Sequence, residues 1–281
     1  MKLSKNILLQ GKHQKPILSD VFYTQDNKPK PIVIFAHGYK GYKDWGCWDL
    51  VAETFANQHF FFIKFNFSHN GGTAEQPIDF PDLEAFGQNN YTKELDDLQS
   101  VIDWILTEES FKGEIDTNNI TLIGHSRGGG IVTLKAAEEP RITRLITWAA
   151  VSDFGKRSST IGDLEQWKAD GVKYVLNGRT KQQMPHYFQF YENFIENKQR
   201  LHIESAVINL KIPHLIIHGT GDTSVSIKEA ENLHSWNSQS QFYKIENGNH
   251  TFGSMHPWKE KNMPPHLKQT LEKSIIFIIR I

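Results

Sequence analysis

Short, unbroken apolar runs alternate with helical stripes along most of this 281-residue chain, and that alternation constrains the fold more than any other feature. Residues 31–36, 60–67, 119–123, 145–150 and 214–218 are such runs, and four of the five end at or near glycine. Strands covered on both faces read as continuous apolar runs, whereas half-exposed ones alternate. Between the runs, Trp48, Val51, Ala52, Phe55 and Ala56 recur at helical spacing, as do Leu95, Leu98, Val101, Ile102 and Ile105. A helix is predicted over 131–138, stopped by Pro140, with others over 227–236 and 267–279 and a strand over 241–246. The pattern predicts an α/β chain: a mostly parallel sheet with helices on both faces. Residues 7–10 and 21–24 read as hairpin strands at one edge. Between 151 and 213 the strand rhythm stops and charged, aromatic and amide residues take over, which predicts an insertion over the sheet.

The composition excludes several classes. Thirty-one basic residues face 32 acidic ones, so the chain lacks the basic excess of a phosphate-contacting nucleic-acid binder. No stretch approaches the roughly 20 apolar residues of a membrane helix, and the N-terminus does not read as a signal peptide. The single cysteine, Cys47, allows no intrachain disulfide and no multi-cysteine metal site. It reads as a buried thiol, and its solitude fits a reducing, cytoplasmic setting.

Gly124-His125-Ser126-Arg127-Gly128 matches G-x-S-x-G. The pattern alone arises by chance in about one chain of this length in ten. Its setting is more telling, because it follows an apolar strand and opens a helix that begins with Gly129 and Gly130. A tight strand-to-helix turn needs small neighbours and lifts the serine hydroxyl above the sheet. A hydroxyl needs a base to take its proton. Of 13 histidines, His250 sits in a turn after the last strand and before the last helix. His234 lies within a helical pattern and His256 precedes Pro257, so both read as structural. The base in turn needs an acid to hold its tautomer. Asp222 follows a strand end and a glycine turn. Asp153, after the run 145–150, is the rival and reads more simply as a helix cap. Backbone amides of Tyr39, in the turn His37-Gly38-Tyr39-Lys40-Gly41, and of Arg127 are the candidate donors to an oxyanion. His37 reads as a residue that braces that turn.

With these motifs in this order, the chain resembles the α/β-hydrolase superfamily over essentially all its length. Within it, the His-Gly turn and the insertion resemble small bacterial cinnamoyl and feruloyl esterases and their serine aminopeptidase-like or prolyl oligopeptidase-like relatives. The resemblance implies one domain spanning 1–281, with a helical lid at 152–212 between the sixth and seventh strands, and catalysis without a cofactor or metal. It implies a serine hydrolase with Ser126 as nucleophile, acting on a small-molecule carboxylic ester. The segment 66–72 departs from those esterases, where an Asp- or Arg-containing glycine-rich loop is common.

Two other readings stand beside this one. A peptidase acting on small peptides would need a pocket acid for a free amino terminus, and Asp82, Glu84 and Glu165 are candidates. A catalytically silent binding protein on the same fold is the other. Aromatic residues of the insertion, Tyr187 and Tyr191 among them, are candidates to line an acyl pocket. Lys156, Arg157 and Arg179 are candidates to meet an anionic substrate, with a solvated surface the plainer reading. His214 and His218 are four apart on a strand and cannot form a helical zinc pair.

Overall fold

A computed structural model describes residues 1–159 and 162–280. Thr160 and Ile161, within the expected lid, and Ile281, beyond the expected last helix, lie outside the described residues. The chain runs β1 (Lys2–Leu9), β2 (Ile17–Tyr23), β3 (Lys30–Ala36), α1 (Trp48–Asn57), β4 (Phe61–Asn66), α2 (Leu83–Gly87), α3 (Tyr91–Thr107), β5 (Ile115–His125), α4 (Arg127–Glu138) and β6 (Arg144–Trp148). It continues α5 (Phe154–Ser159), α6 (Leu164–Asp170), β7 (Val172–Leu176), β8 (Gln183–Tyr187), α7 (Gln189–Glu196), α8 (Ile203–Asn209), β9 (His214–Gly219), α9 (Ile227–Trp236), β10 (Gln241–Ile245) and α10 (Pro265–Arg280).

Eight strands form one sheet in the order β1-β2-β4-β3-β5-β6-β9-β10. β1 pairs antiparallel with β2, and β2 antiparallel with β4, while the pairings from β4 through β10 are parallel. The central strands are apolar throughout because helices cover both faces. On one side α3 and α4 pack Leu95, Leu98, Ile102, Ile131 and Val132 against the sheet. On the other, α1 and α10 bring Trp48, Val51, Phe55, Leu271 and Phe277 to it. Trp148 of β6 is fully buried there, and its indole N–H donates to Ser274 Oγ at 3.0 Å. β1 is mostly exposed, as an edge strand with one open side must be.

Register brings the loops together. Ala36 pairs with Gly124, and Ile245 with Gly219. The turns after β3 and β5, and those after β9 and β10, therefore emerge in adjacent pairs at the carboxyl ends of the parallel strands, where open α/β sheets place their ligands. The turn after β3 is anchored from below by a buried ionic network. Lys43 Nζ lies 2.9 Å from Asp20 and 2.6 Å from Asp44, and Lys64 Nζ lies within 2.9 Å of Asp20, Asp44 and Asp49. Both lysine side chains are fully buried, so each needs those carboxylates.

The segment between β6 and β9 differs in part from expectation. It is not helical throughout: β7 and β8 form an antiparallel hairpin, paired from Val172↔Tyr187 to Leu176↔Gln183. Gly171 ends α6 in the left-handed conformation (φ 71°) and releases the chain into β7. The hairpin was illegible because its residues do not alternate cleanly and β8 carries a proline. No helix among the described residues is long and apolar enough to cross a membrane.

Candidate functional site

Ser126 closes the turn from β5 into α4 with φ 57° and ψ −120°, a backbone conformation that L-residues rarely adopt. The turn persists because its neighbours leave no room for anything else. A Cβ on Gly128 would sit 2.4 Å from the carbonyl oxygens of Ala36 and His37, and one on Gly38 would sit 2.8 Å from Ser126 Cβ. Those contacts press the His37-Gly38 turn against the serine. The amide of Arg127, first in α4, has no intrahelical carbonyl to bond.

Ser126 Oγ lies 3.0 Å from His250 Nε2, and His250 Nδ1 lies 2.8 Å from Asp222 Oδ2. A carboxylate only accepts, so Nδ1 carries the proton and Nε2 is left to accept from the serine. Asp222 Oδ1 accepts from the backbone amides of Ser224, at 2.8 Å, and Val225, at 2.9 Å. Its Oδ2 also lies 3.3 Å from His218 Nε2, which donates to the Val225 carbonyl at 2.8 Å. Burial works against the charge, yet these hydrogen bonds, from His218 first and His250 next, hold the Asp222 carboxyl well below the usual carboxylate range. The Asp222 side chain is wholly buried, whereas that of His250 keeps partial access to solvent.

His125, one of the two variable residues of the motif, is an unforeseen participant. Its Nε2–H donates to the His250 carbonyl at 2.8 Å, its ring centroid lies 4.8 Å from that of His250, and burial lowers it to about 3, so it is neutral. It ties the loop bearing His250 to the strand bearing Ser126. His37 donates from Nδ1 to the Gly38 carbonyl at 2.9 Å and is likewise neutral, lowered by burial to about 4.

A cavity of about 450 Å³ opens beside Ser126 and His250. Tyr39, Tyr91, Phe154, Arg127, Lys40 and His186 are among its lining residues. The Tyr39 hydroxyl donates to His186 Nε2 at 2.8 Å, since His186 Nδ1 faces the Met184 carbonyl. A smaller cavity of about 170 Å³ flanks Ser126, with Trp45, Trp48 and Thr251 in its wall.

Of the residues nominated from sequence, the structure brings Ser126, Asp222, His250, Tyr39 and Arg127 to one place. It does not bring Tyr187 and Tyr191 to the larger cavity. The Tyr187 hydroxyl bonds Glu84, and its ring lies where a Gly87 side chain would be, 2.7 Å from that position. Tyr191 packs on Trp167 and Phe188 and borders a separate depression. Tyr91 and Phe154, stacked with centroids 3.9 Å apart, supply rings instead. Tyr91 carries no local sign of this, because it begins a helix whose other apolar residues form core. Asp153 caps α5, accepting from Gly155 at 2.7 Å. Asp82 caps α2 and pairs with Lys15 at 2.6 Å. Arg179 pairs with Asp79, Arg157 with Glu229, and Lys156 lies 3.8 Å from Asp153.

The BD-FAE family model matches residues 19–237. The chain is significantly similar to no curated protein sequence. Among solved structures it is similar to Est1E from Butyrivibrio proteoclasticus, at 17% identity and TM-score 0.71, with 98% of each chain covered. Against the same protein with ferulic acid bound, identity is 18% and TM-score 0.69, covering 97% of this chain and 98% of that one. A putative hydrolase from Agrobacterium vitis S4 is 16% identical at TM-score 0.72, with both chains fully covered. These likenesses show a shared α/β-hydrolase fold.

Proposed function

Because this chain belongs to the BD-FAE family and carries a serine, a histidine and a buried carboxylate in hydrogen-bonded series, we propose that it is a serine hydrolase that cleaves a small carboxylic ester through an acyl-enzyme. The observation that carries this reading is the pair of contacts at His250, 3.0 Å to Ser126 Oγ and 2.8 Å to Asp222. Ser126 Oγ attacks the ester carbonyl while His250 Nε2 takes its proton. Asp222 holds His250 in the Nδ1–H tautomer and balances the imidazolium that forms. The tetrahedral oxygen is met by the amides of Tyr39 and Arg127, preset by backbone and so aligned without reorganisation. His250 then protonates the leaving alcohol. A water deprotonated by the same nitrogen attacks the acyl-enzyme carbonyl, releasing the acid and restoring Ser126.

The acyl group is taken to occupy the larger cavity, beneath residues 152–212 acting as a lid on the single domain. Est1E, similar in fold, has been solved with ferulic acid, and the rings of Tyr39, Tyr91 and Phe154 would suit an acyl group of comparable character. The amine-recognising peptidase reading loses support, since Asp82, Glu84 and Glu165 are all absent from that cavity's lining. The test is a panel of p-nitrophenyl esters and aminoacyl p-nitroanilides with wild type and Ser126→Ala. Ester turnover that disappears in Ser126→Ala supports the reading. Anilide turnover without ester turnover, or an active Ser126→Ala, overturns it.

A further inference from the structure

The larger cavity carries formal charge of one sign. Lys40, Arg127 and Arg157 line it, and no Asp or Glu does among the described residues. Two further walls are neutral near pH 7: His186 is lowered to about 4 by burial and by Arg127, and Tyr39 is raised to about 12 by burial. Arg157 is engaged by Glu229 and the Ser224 carbonyl.

Arg127 is held differently. Its Nη1 reaches Glu94 Oε1 at 3.3 Å, a long contact, and among the described residues no other hydrogen bond is made by its guanidinium. Glu94 is itself fixed from behind by Asn89 at 2.7 Å. The guanidinium carbon lies 4.5 Å from the ring centroid of Tyr39, 5.3 Å from Tyr91 and 5.4 Å from Phe190. Rings and carboxylate together hold the group of this lining residue and leave Nε and Nη2 without a described acceptor. A planar fork held in this way is suited to a bidentate oxyanion. Lys40, in the same wall, makes no ion pair among the described residues, and its ammonium sits 5.1 Å from the Tyr39 ring. Two cations in a partly desolvated cavity repel a free ammonium and reward an anion.

We propose that the substrate is an ester whose acyl limb carries a second, free carboxylate, received by the Arg127 guanidinium with Lys40 beside it. The inference rests on the ester-hydrolase reading above and names its substrate class: hemiesters of dicarboxylic acids.

Two p-nitrophenyl esters of adipic acid test it, one with the far carboxyl free and one with it methylated. Spontaneous hydrolysis is subtracted from each. Charge-assisted hydrogen bonds of this kind translate into a preference of about tenfold to a hundredfold in kcat/KM for the free acid. The ratio of the two kcat/KM values is the readout, because any effect on the chemical step is common to both. It is expected to collapse toward unity in Arg127→Met, to survive in part in Arg127→Lys, and to fall less in Lys40→Met. A wild-type ratio near or below one overturns the inference, as does a ratio unmoved by Arg127→Met and Lys40→Met. If neither ester is turned over, the hydrolase reading fails, and calorimetry on Ser126→Ala still decides the carboxylate site. Monomethyl adipate binding at least about tenfold more tightly than dimethyl adipate supports the site, and equal affinity overturns it.

Discussion

Asp222→Asn should reduce kcat by about four orders of magnitude while the protein stays folded. In the wild type, Oδ1 accepts the Ser224 and Val225 amides and Oδ2 accepts from His250 Nδ1. An asparagine keeps one oxygen, and the two backbone donors claim it. The new amide nitrogen then faces His250 and His218. Against His250 it donates, so the imidazole turns to the tautomer with its proton on Nε2, pointed at Ser126, and the base is lost. The imidazolium of the transition state also loses its balancing charge. In hydrolases with this arrangement the loss is about 10⁴, or roughly 5.4 kcal/mol of barrier at 1.36 kcal/mol per decade. Against His218, whose Nε2–H is shared between the Val225 carbonyl and Asp222 Oδ2, the amide meets a second donor, which costs about 1–3 kcal/mol of stability. The assay is p-nitrophenyl ester turnover at saturation, with thermal unfolding on the same samples and Asp153→Asn as the control. Asp153 only caps α5, and asparagine caps equally well, so that variant should stay within about threefold of wild type. Wild-type turnover in Asp222→Asn, or a larger loss in Asp153→Asn, would refute the reasoning.

Three further outcomes follow from the same contacts. Lys64→Met removes a fully buried cation from β4 and leaves the fully buried Asp20 with Lys43, shared with Asp44, as its counter-charge, and should cost about 3–5 kcal/mol by urea unfolding; a loss below about 1 kcal/mol would mean the network is energetically idle. Gly38→Ala forces a methyl to within 2.8 Å of Ser126 Cβ, and should reduce kcat at least about tenfold by displacing the Tyr39 amide, with KM for a neutral ester far less affected; unchanged kcat would separate that turn from the chemistry. Stability should begin to fall below about pH 6.5, where the unfolded chain protonates histidines that burial keeps neutral in the fold, His37 and His186 at about 4 and His125 at about 3, and should fall further toward pH 2. Asp44, against its burial, is held at about 2 by Lys64 and Lys43, and Glu139 at about 2 chiefly by Arg141. Folded values below unfolded ones mean that this stabilisation is complete above the unfolded pKa and drains away as pH falls through the folded one; unfolding midpoints flat to pH 2 would contradict it.

What the sequence made legible is what local chemistry determines. Buried parallel strands announce themselves as apolar runs, and β3, β4, β5, β6 and β9 all lie on runs read that way. The turn around Ser126 is announced by glycines, because close approach to Ala36 and His37 excludes side chains there. Asp222 and His250 were nominated because each follows a strand end, and register brings such ends together. Features resting on distant partners were not legible. Lys64 interrupts an apolar strand, and nothing nearby in sequence says that Asp20 and Asp44 will neutralise it. The rings of Tyr187 and Tyr191 looked like pocket walls because composition does not say which way a ring faces. The Arg127 side chain was passed over beside its own backbone amide, since the rings that hold it come from 36 to 88 residues away in the chain, at Tyr91 and Tyr39.

The central claim is that Ser126 is a nucleophile activated by His250. An active-site-directed fluorophosphonate, incubated with the wild type and followed by intact-mass and peptide mapping, tests it most directly. The account predicts one covalent adduct per chain, on Ser126, absent in Ser126→Ala and strongly slowed in Asp222→Asn. No adduct on a protein that hydrolyses esters, or an adduct on another residue that persists in Ser126→Ala, would contradict it.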